Sequence, residues 1–223
     1  MALPQKFKAL ILDFDGTLAQ TLQDIACCMA EAFQQFGEPA PSEDAVRAIM
    51  SVPLEIAIPR LLGKECASAE AAEWVLRYRS IYNGERLRRT SLFPGAKELL
   101  LRAEETNTPA VLVSNKGSVA VAAELHHLGV AHLIRKSFPV DAAPYKKPDP
   151  RLYHSAIKSC LHGVPDSEVL VVGDSDADIR FAQNAGLRCC WAAYGYGNPE
   201  ECLGLKPDMV VQCLTELLPL IGR

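Results

Sequence analysis

The chain has 223 residues, 49% of them hydrophobic and 22% charged, enough to bury a substantial core and too apolar for a disordered segment. Its 27 acidic residues against 23 Lys and Arg leave a net charge of -4, which argues against general nucleic-acid binding because phosphate-backbone recognition shows as a basic excess. No run approaches the ~20 apolar residues of a membrane helix, and the eight cysteines include no CxxC pair of the kind zinc sites use, so free thiols in a reducing cytoplasm are expected.

In chain order, Ala9 to Leu12 is the first strand: continuous apolarity without alternation marks a strand covered on both faces, as in a parallel sheet. It runs directly into Asp13, Phe14, Asp15, Gly16 and Thr17. Residues 20 to 89 then contain no convincing strand. "TLQDIACCMAEAFQQFG" places Leu22, Ile25, Met29, Phe33 and Phe36 on one helical stripe, "PSEDAVRAIM" opens with a capping serine, and "SAEAAEWVLRYRSIYNGERL" is a longer amphipathic helix. This insert is too long for a connecting loop, so residues 20–89 are expected to form a helical second domain on a core made of 1–19 and 90–223.

Beyond it, Gly95 to Glu105 reads as a helix, Ala110 to Val113 as a second buried strand, and Val119 to Leu128 as a helix closed by Gly129. Pro150 to Leu161 is another expected helix, Val169 to Val172 a third strand, and Ala177 to Ala185 a helix closed by Gly186. "CCWAA" and "DMVVQ" read as further short strands. Strand and helix alternate, which predicts an α/β fold with a doubly wound parallel sheet.

In such sheets ligands bind beyond the carboxyl ends of the strands. Asp13 and Asp15 follow the first strand, Ser114, Asn115 and Lys116 the second, and Asp174 with Asp178 the third. Alternate residues of extended chain share a face, so Asp13 and Asp15 can both reach the rim, with Gly16 permitting the turn away. A helix starting near Ser175 puts Asp174 at its entrance, Asp178 one turn along and Asp176 elsewhere. Clustered carboxylates of like charge are tolerable only with a cation, and an all-oxygen set without His or Cys favours Mg²⁺. A hard cation beside a hydroxyl and an amine suits a phosphoryl group, and two carboxylates two residues apart suit a nucleophile and a general acid. The lysine in "APYKKPDP" is Lys147, with Lys146 as the alternative.

The ordered set "DFDGTL", "SNK", "KKPDP" and "GDSDADI" resembles the four motifs of the haloacid dehalogenase superfamily. The helical insert resembles that superfamily's type-1 cap, and "FPGAKELL" and "FAQNAG" resemble the phosphoglycolate phosphatase subgroup. The resemblance spans nearly the whole chain. It implies Asp13 as nucleophile, Asp15 as general acid and base, Ser114 as phosphoryl anchor and Lys147 as a charge-neutralising clamp. It further implies Gly16, Thr17 and Asn115 beside the substrate, Mg²⁺ held by Asp13, the Asp15 carbonyl and Asp174, and Asp178 supporting from behind. The implied partner is a small phosphorylated metabolite, handled by a monomer or homodimer with no nucleic acid and no membrane.

Gln20 and Thr21 stand where relatives carry an acid and a serine, Ser51 replaces a common glycine in the loop Met50 to Leu54, and the lysine before Pro148 is doubled. These departures touch substrate identity and leave the chemistry intact. A phosphomutase shares every motif, and a catalytically silent binding protein shares the fold; dehalogenation and phosphonate cleavage fit Asp15 and the paired acids of "GDSDAD" less well. Arg77, Arg79, Arg86, Arg88 and Arg89 read mainly as a solvated face, the histidines as structural or exposed, and Trp74 and Trp191 as packing residues. Cap opening predicts hinges near 18–21 and 89–94.

Overall fold

A computed structural model describes residues 6–84, 89–161 and 163–222. The chain begins with β1 (Ala9–Leu12), turns sharply, and forms β2 (Ala19–Gln20). Helices α1 (Leu22–Gln35), α2 (Glu43–Arg47), α3 (Leu54–Leu62) and α4 (Ser68–Asn83) follow. The chain then returns through β3 (Ser91–Leu92), α5 (Ala96–Glu105), β4 (Ala110–Val113), α6 (Ser118–His127) and β5 (Lys136–Phe138). There follow β6 (Val169–Gly173), α7 (Asp176–Ala185), β7 (Arg188–Ala192), α8 (Pro199–Gly204), β8 (Met209–Val211) and a 3₁₀ helix over Leu214–Leu220.

Six strands form one parallel sheet in the order β5-β4-β1-β6-β7-β8. The sheet shows why its strands read as unbroken apolar runs. Leu10, Leu12, Leu112, Leu170 and Val172 enter a core with Leu99, Leu100 and Leu125 on one face. The alternate residues Ala9, Ile11, Val111, Val113 and Val171 enter a second core with Tyr153, Phe181 and Ile179 on the other. Both faces are therefore dry, and period-two alternation disappears. The expected doubly wound architecture is present: from β1 the chain runs on to β4 on one side, and from the neighbouring β6 to β7 on the other, so the β1–β6 boundary is the crevice position of such sheets.

The molecule divides into two compact units: the residues up to Gln20 with those from Ser91 onward, and Thr21–Thr90. Within the first, β2 and β3 pair antiparallel where the chain departs and returns, Ala19 opposite Leu92 and Gln20 opposite Ser91. Within the second, α1 buries Leu22, Ile25, Cys28, Met29 and Phe33. Trp74 of α4 meets the Phe33 ring at 4.8 Å and stacks on Phe36 at 4.0 Å. Asp24 Oδ2 accepts hydrogen bonds from the Arg89 and Thr90 amides at 3.0 and 3.2 Å and from Thr90 Oγ1 at 2.9 Å, tying the end of the insert to its first helix.

Three elements depart from expectation. Helix α3 forms despite Pro59 in its interior and ends at Gly63 in a left-handed conformation. Strand β5 has only three residues, too few to leave a pattern. The stretch expected as a regular helix to Leu161 instead widens over Tyr153–Ile157 and tightens over Lys158–Leu161. There the buried Tyr153 hydroxyl donates to Asp166 at 2.5 Å while Lys158 pairs with the same carboxylate at 2.8 Å. All eight cysteines are free thiols, as expected. Among the described residues no helix is long and apolar enough to cross a membrane.

Candidate active site

The turn after β1 is built on Phe14, whose carbonyl accepts from the Leu18 and Ala19 amides at 3.0 and 2.9 Å. Gly16 sits at φ +83°, a conformation that L side chains rarely adopt, and its missing Cβ leaves space that Asp174 occupies. Asp13 remains in line with the strand, its amide donating to Val172 O at 2.9 Å.

Asp174 leaves the end of β6 and is fixed from three directions. Thr17 Oγ1 donates to Oδ1 at 3.1 Å, the Tyr196 amide donates to Oδ2 at 2.7 Å, and Trp191 Nε1 donates to its carbonyl at 2.8 Å. A Cβ on Gly195 would overlap Asp174 and the Gly16 carbonyl, and one on Gly197 would overlap the Asp174 carbonyl. Asp178 lies in the first turn of α7, where its Oδ2 accepts from the Ser175 amide and hydroxyl at 3.1 and 2.6 Å. Gly173 again leaves no room for a side chain, here against Asp178.

Lys147 is buried and its ammonium lies 2.6 Å from both Asp13 Oδ1 and Asp178 Oδ1, whereas Lys146 is exposed. This settles which of the two lysines enters the site. Carboxylate oxygens of Asp13, Asp174 and Asp178 lie within 4.8 Å of one another. Burial pushes the Asp13 carboxyl well above its ordinary range against the lowering effect of Lys147. Burial, reinforced by Asp178, raises Asp174 to about 7. Burial alone would lower the Lys147 ammonium, but Asp13 and Asp178 outweigh it and the net direction is up. One ammonium among three carboxylates leaves the cluster short of positive charge, and the all-oxygen donor set suits a hard divalent cation. The residues present therefore fit Mg²⁺.

Two placements differ from the sequence reading. The Asp15 carboxylate stands outside the cluster, because Lys116 Nζ takes its Oδ1 at 2.8 Å. Asp178, a possible member of the cluster by its spacing and an outer support by the resemblance, contributes an oxygen to the cluster itself. Ser114 is buried at the end of β4, with its amide on Phe138 O at 3.1 Å and its Oγ accepting from the Lys116 amide at 3.1 Å. It does not cap α6, whose first amide is held instead by Asp141 Oδ1 at 2.9 Å. Asn115 is half-buried beside it.

Lys116 was placed on the rim by the sequence, but its pairing with Asp15 and with the buried Glu124 behind it escaped that reading, as did the Tyr196 amide and the indole N–H of Trp191, which holds Asp174 as well as packing. Glu124 left one signal, since it shares the buried stripe of α6 with Ala120, Val121 and Leu125. Asp176 turns outward to Arg180 at 3.3 Å, as expected. His126, His127, His132 and His154 are exposed. Arg77 and Arg89 are exposed and Arg79 is half-buried. Arg86, Arg88 and His162 lie outside the described residues.

The family of haloacid dehalogenase-like hydrolases matches this sequence over residues 10–192. The chain belongs to that family and is a hydrolase of the phosphatase type. More particularly, it is similar to proteins named phosphoglycolate phosphatase. One from Vibrio parahaemolyticus is 32% identical, covering 98% of this chain and 97% of that protein, and one from Pectobacterium atrosepticum is 31% identical, covering 97% and 93%. The fold is similar to that of a haloacid dehalogenase-like hydrolase from Streptococcus pneumoniae, with a TM-score of 0.81, 22% identity, and coverage of 95% of this chain and 97% of the other.

Proposed function

We propose that this protein is a Mg²⁺-dependent phosphatase that hydrolyses a small, soluble phosphomonoester of the phosphoglycolate type through a phosphorylated Asp13. The observation that carries this reading is the convergence of Asp13, Asp174 and Asp178 with Lys147 at the ends of adjacent strands.

Asp13, held 2.6 Å from Lys147, attacks phosphorus while the P–O ester bond breaks. Asp15 gives its proton to the departing oxygen, then removes a proton from the water that cleaves the acyl phosphate and returns Asp13. Ser114 Oγ and Asn115 bind phosphoryl oxygens, Lys147 offsets their charge, and Gly16 and Thr17 keep the turn close to Asp174. Asp13 and Asp174, with the Asp15 carbonyl and support from Asp178, would hold the cation. When bound, Mg²⁺ supplies the positive charge that keeps the buried carboxylates ionised and offsets the phosphoryl oxygens.

The helical unit Thr21–Thr90 is assigned the choice of substrate, in keeping with a cap that opens and shuts about the β2 and β3 segments. Similarity to relatives named phosphoglycolate phosphatase supports this substrate class, and the free thiols fit a reducing cytoplasm.

Inorganic phosphate release is measured across a panel of alkyl and aryl phosphates with Mg²⁺. Turnover is expected, and Asp13→Asn is expected to lower it by on the order of 10³-fold or more. Retained turnover in Asp13→Asn refutes the nucleophile, and an isomerised sugar phosphate in place of free phosphate identifies a mutase. An inert wild type across the panel turns the reading toward a silent binding protein.

A further inference from the structure

Behind Asp15 lies a line of charge, Lys116 and Glu124, that the mechanism above leaves unused. Asp15 Oδ1 is 2.8 Å from Lys116 Nζ, and the same ammonium is 3.6 Å from Glu124 Oε2. The side chains are 16%, 9% and 0% exposed in that order, so the line runs inward from the rim to the buried face of α6. Ser114 Oγ accepts the Lys116 amide at 3.1 Å, which fixes the lysine's backbone, and the ammonium lies 5.9 Å from the centre of the Phe14 ring.

Stability alone gives little reason for such a line. Buried ion pairs return much of their Coulomb attraction as lost hydration, and apolar replacements of similar volume are often as stable or more so. What the arrangement does achieve is directional. A lysine on a four-carbon stem is ordinarily a mobile point charge. With its amide on Ser114 and its ammonium between two carboxylates, it holds Asp15 through Oδ1 and leaves Oδ2 to carry a proton.

We propose that Lys116 is a positioning residue for Asp15, anchored from below by Glu124, and that this line serves protonation of the leaving group. The inference rests on the phosphatase reading, in which Asp15 is the acid. As the ester P–O bond breaks, the proton on Asp15 moves to the departing oxygen, which leaves as an alcohol, and a carboxylate charge appears on Asp15. An ammonium already 2.8 Å away meets that charge without reorganisation. Lys116 acts through Asp15 and needs no contact with substrate.

The test uses leaving-group dependence, which a merely structural role would not move. An aryl phosphate such as p-nitrophenyl phosphate releases an anion stable enough to depart unprotonated, whereas an alkyl phosphate needs the acid. Steady-state kcat is measured with p-nitrophenyl phosphate and with the alkyl phosphate the wild type turns over best, at saturating Mg²⁺. Lys116→Met is expected to lower kcat on the alkyl phosphate by roughly 10–100-fold, and on the aryl phosphate at least about tenfold less, with Lys116→Arg recovering part of the loss. Glu124→Gln is expected to move the alkyl-to-aryl ratio in the same direction by a smaller factor. Should Lys116→Met fold poorly, Lys116→Met with Glu124→Gln removes both buried charges together and carries the same ratio test. Equal losses on both substrates, or no loss on either, overturn the positioning role. Asp13→Asn runs alongside: its retention of turnover refutes Asp13 as nucleophile and with it the mechanism on which this inference rests, whereas a dead Asp13→Asn with an unshifted Lys116→Met ratio overturns this inference alone.

Discussion

Replacing Lys147 by Met tests the electrostatic account of the site most directly. The side chain keeps similar length and loses its ammonium, which lies 2.6 Å from both Asp13 and Asp178 in a buried position. Three carboxylates would then face one another without that cation, and removing one partner of a buried pair costs about 3–5 kcal/mol. In a chain of this size one kcal/mol moves the melting temperature by about 2–4 °C, so the metal-free variant should melt roughly 6–20 °C below wild type. The loss should depend on pH. Asp174 sits near 7 in the folded protein and an unfolded aspartate near about 3.9, so between those values the native state binds more protons than the unfolded chain. Its raised value therefore lowers stability as pH rises through that window and changes nothing further above it. Protonation relieves the repulsion that Lys147 otherwise offsets, so the Lys147→Met penalty should be smaller at pH 5.5 than at pH 8. Scanning fluorimetry in EDTA at both pH values measures it. A melting temperature equal to wild type, or a deficit identical at both pH values, refutes the reasoning.

Mg²⁺ binds the ionised carboxylates, so its stabilisation of the wild type should be larger at pH 8 than at pH 6, because protons compete once Asp13 and Asp174 titrate from above; calorimetric titration at the two pH values reads the affinity. Gly173→Ala drives a methyl into the space of Asp178 and should weaken Mg²⁺ binding by about tenfold or more, with phosphate release falling alongside, checked by the same titration and by turnover. In the helical unit, Asp24→Ala strands the Arg89 and Thr90 amides, each worth about 1–3 kcal/mol when left unsatisfied, and should lower the melting temperature while speeding amide exchange at Thr90.

Much of the fold and the acidic cluster was legible because the same residues carry both messages. An apolar strand covered on both faces ends where polar residues appear, so Asp13, Ser114 and Asp174 announced the strand ends and the site together. Lys147 was legible only in company, since alone it looks like any loop lysine. What the sequence hid falls into two kinds. Backbone donors such as the Tyr196 amide carry no side-chain mark, and the room taken from Gly195 becomes visible only with Asp174 beside it. Pairings between distant charges are equally silent: Lys116 stands at a strand end with nothing in the sequence to say which carboxylates it meets, and Glu124 looks like an ordinary helical acid until the two are seen together. Helix α3 was obscured by Pro59, because interior proline normally signals a helix end.

The crowding of glycines around Asp174 and Asp178 limits how such a protein can diverge. Gly16, Gly173, Gly195 and Gly197 each stand where even a methyl group would strike the acidic residues or their supporting backbone. Descendants of this chain are thus barred from remodelling the floor one substitution at a time. Change is left to positions outside that floor, while the arrangement beneath is inherited unchanged.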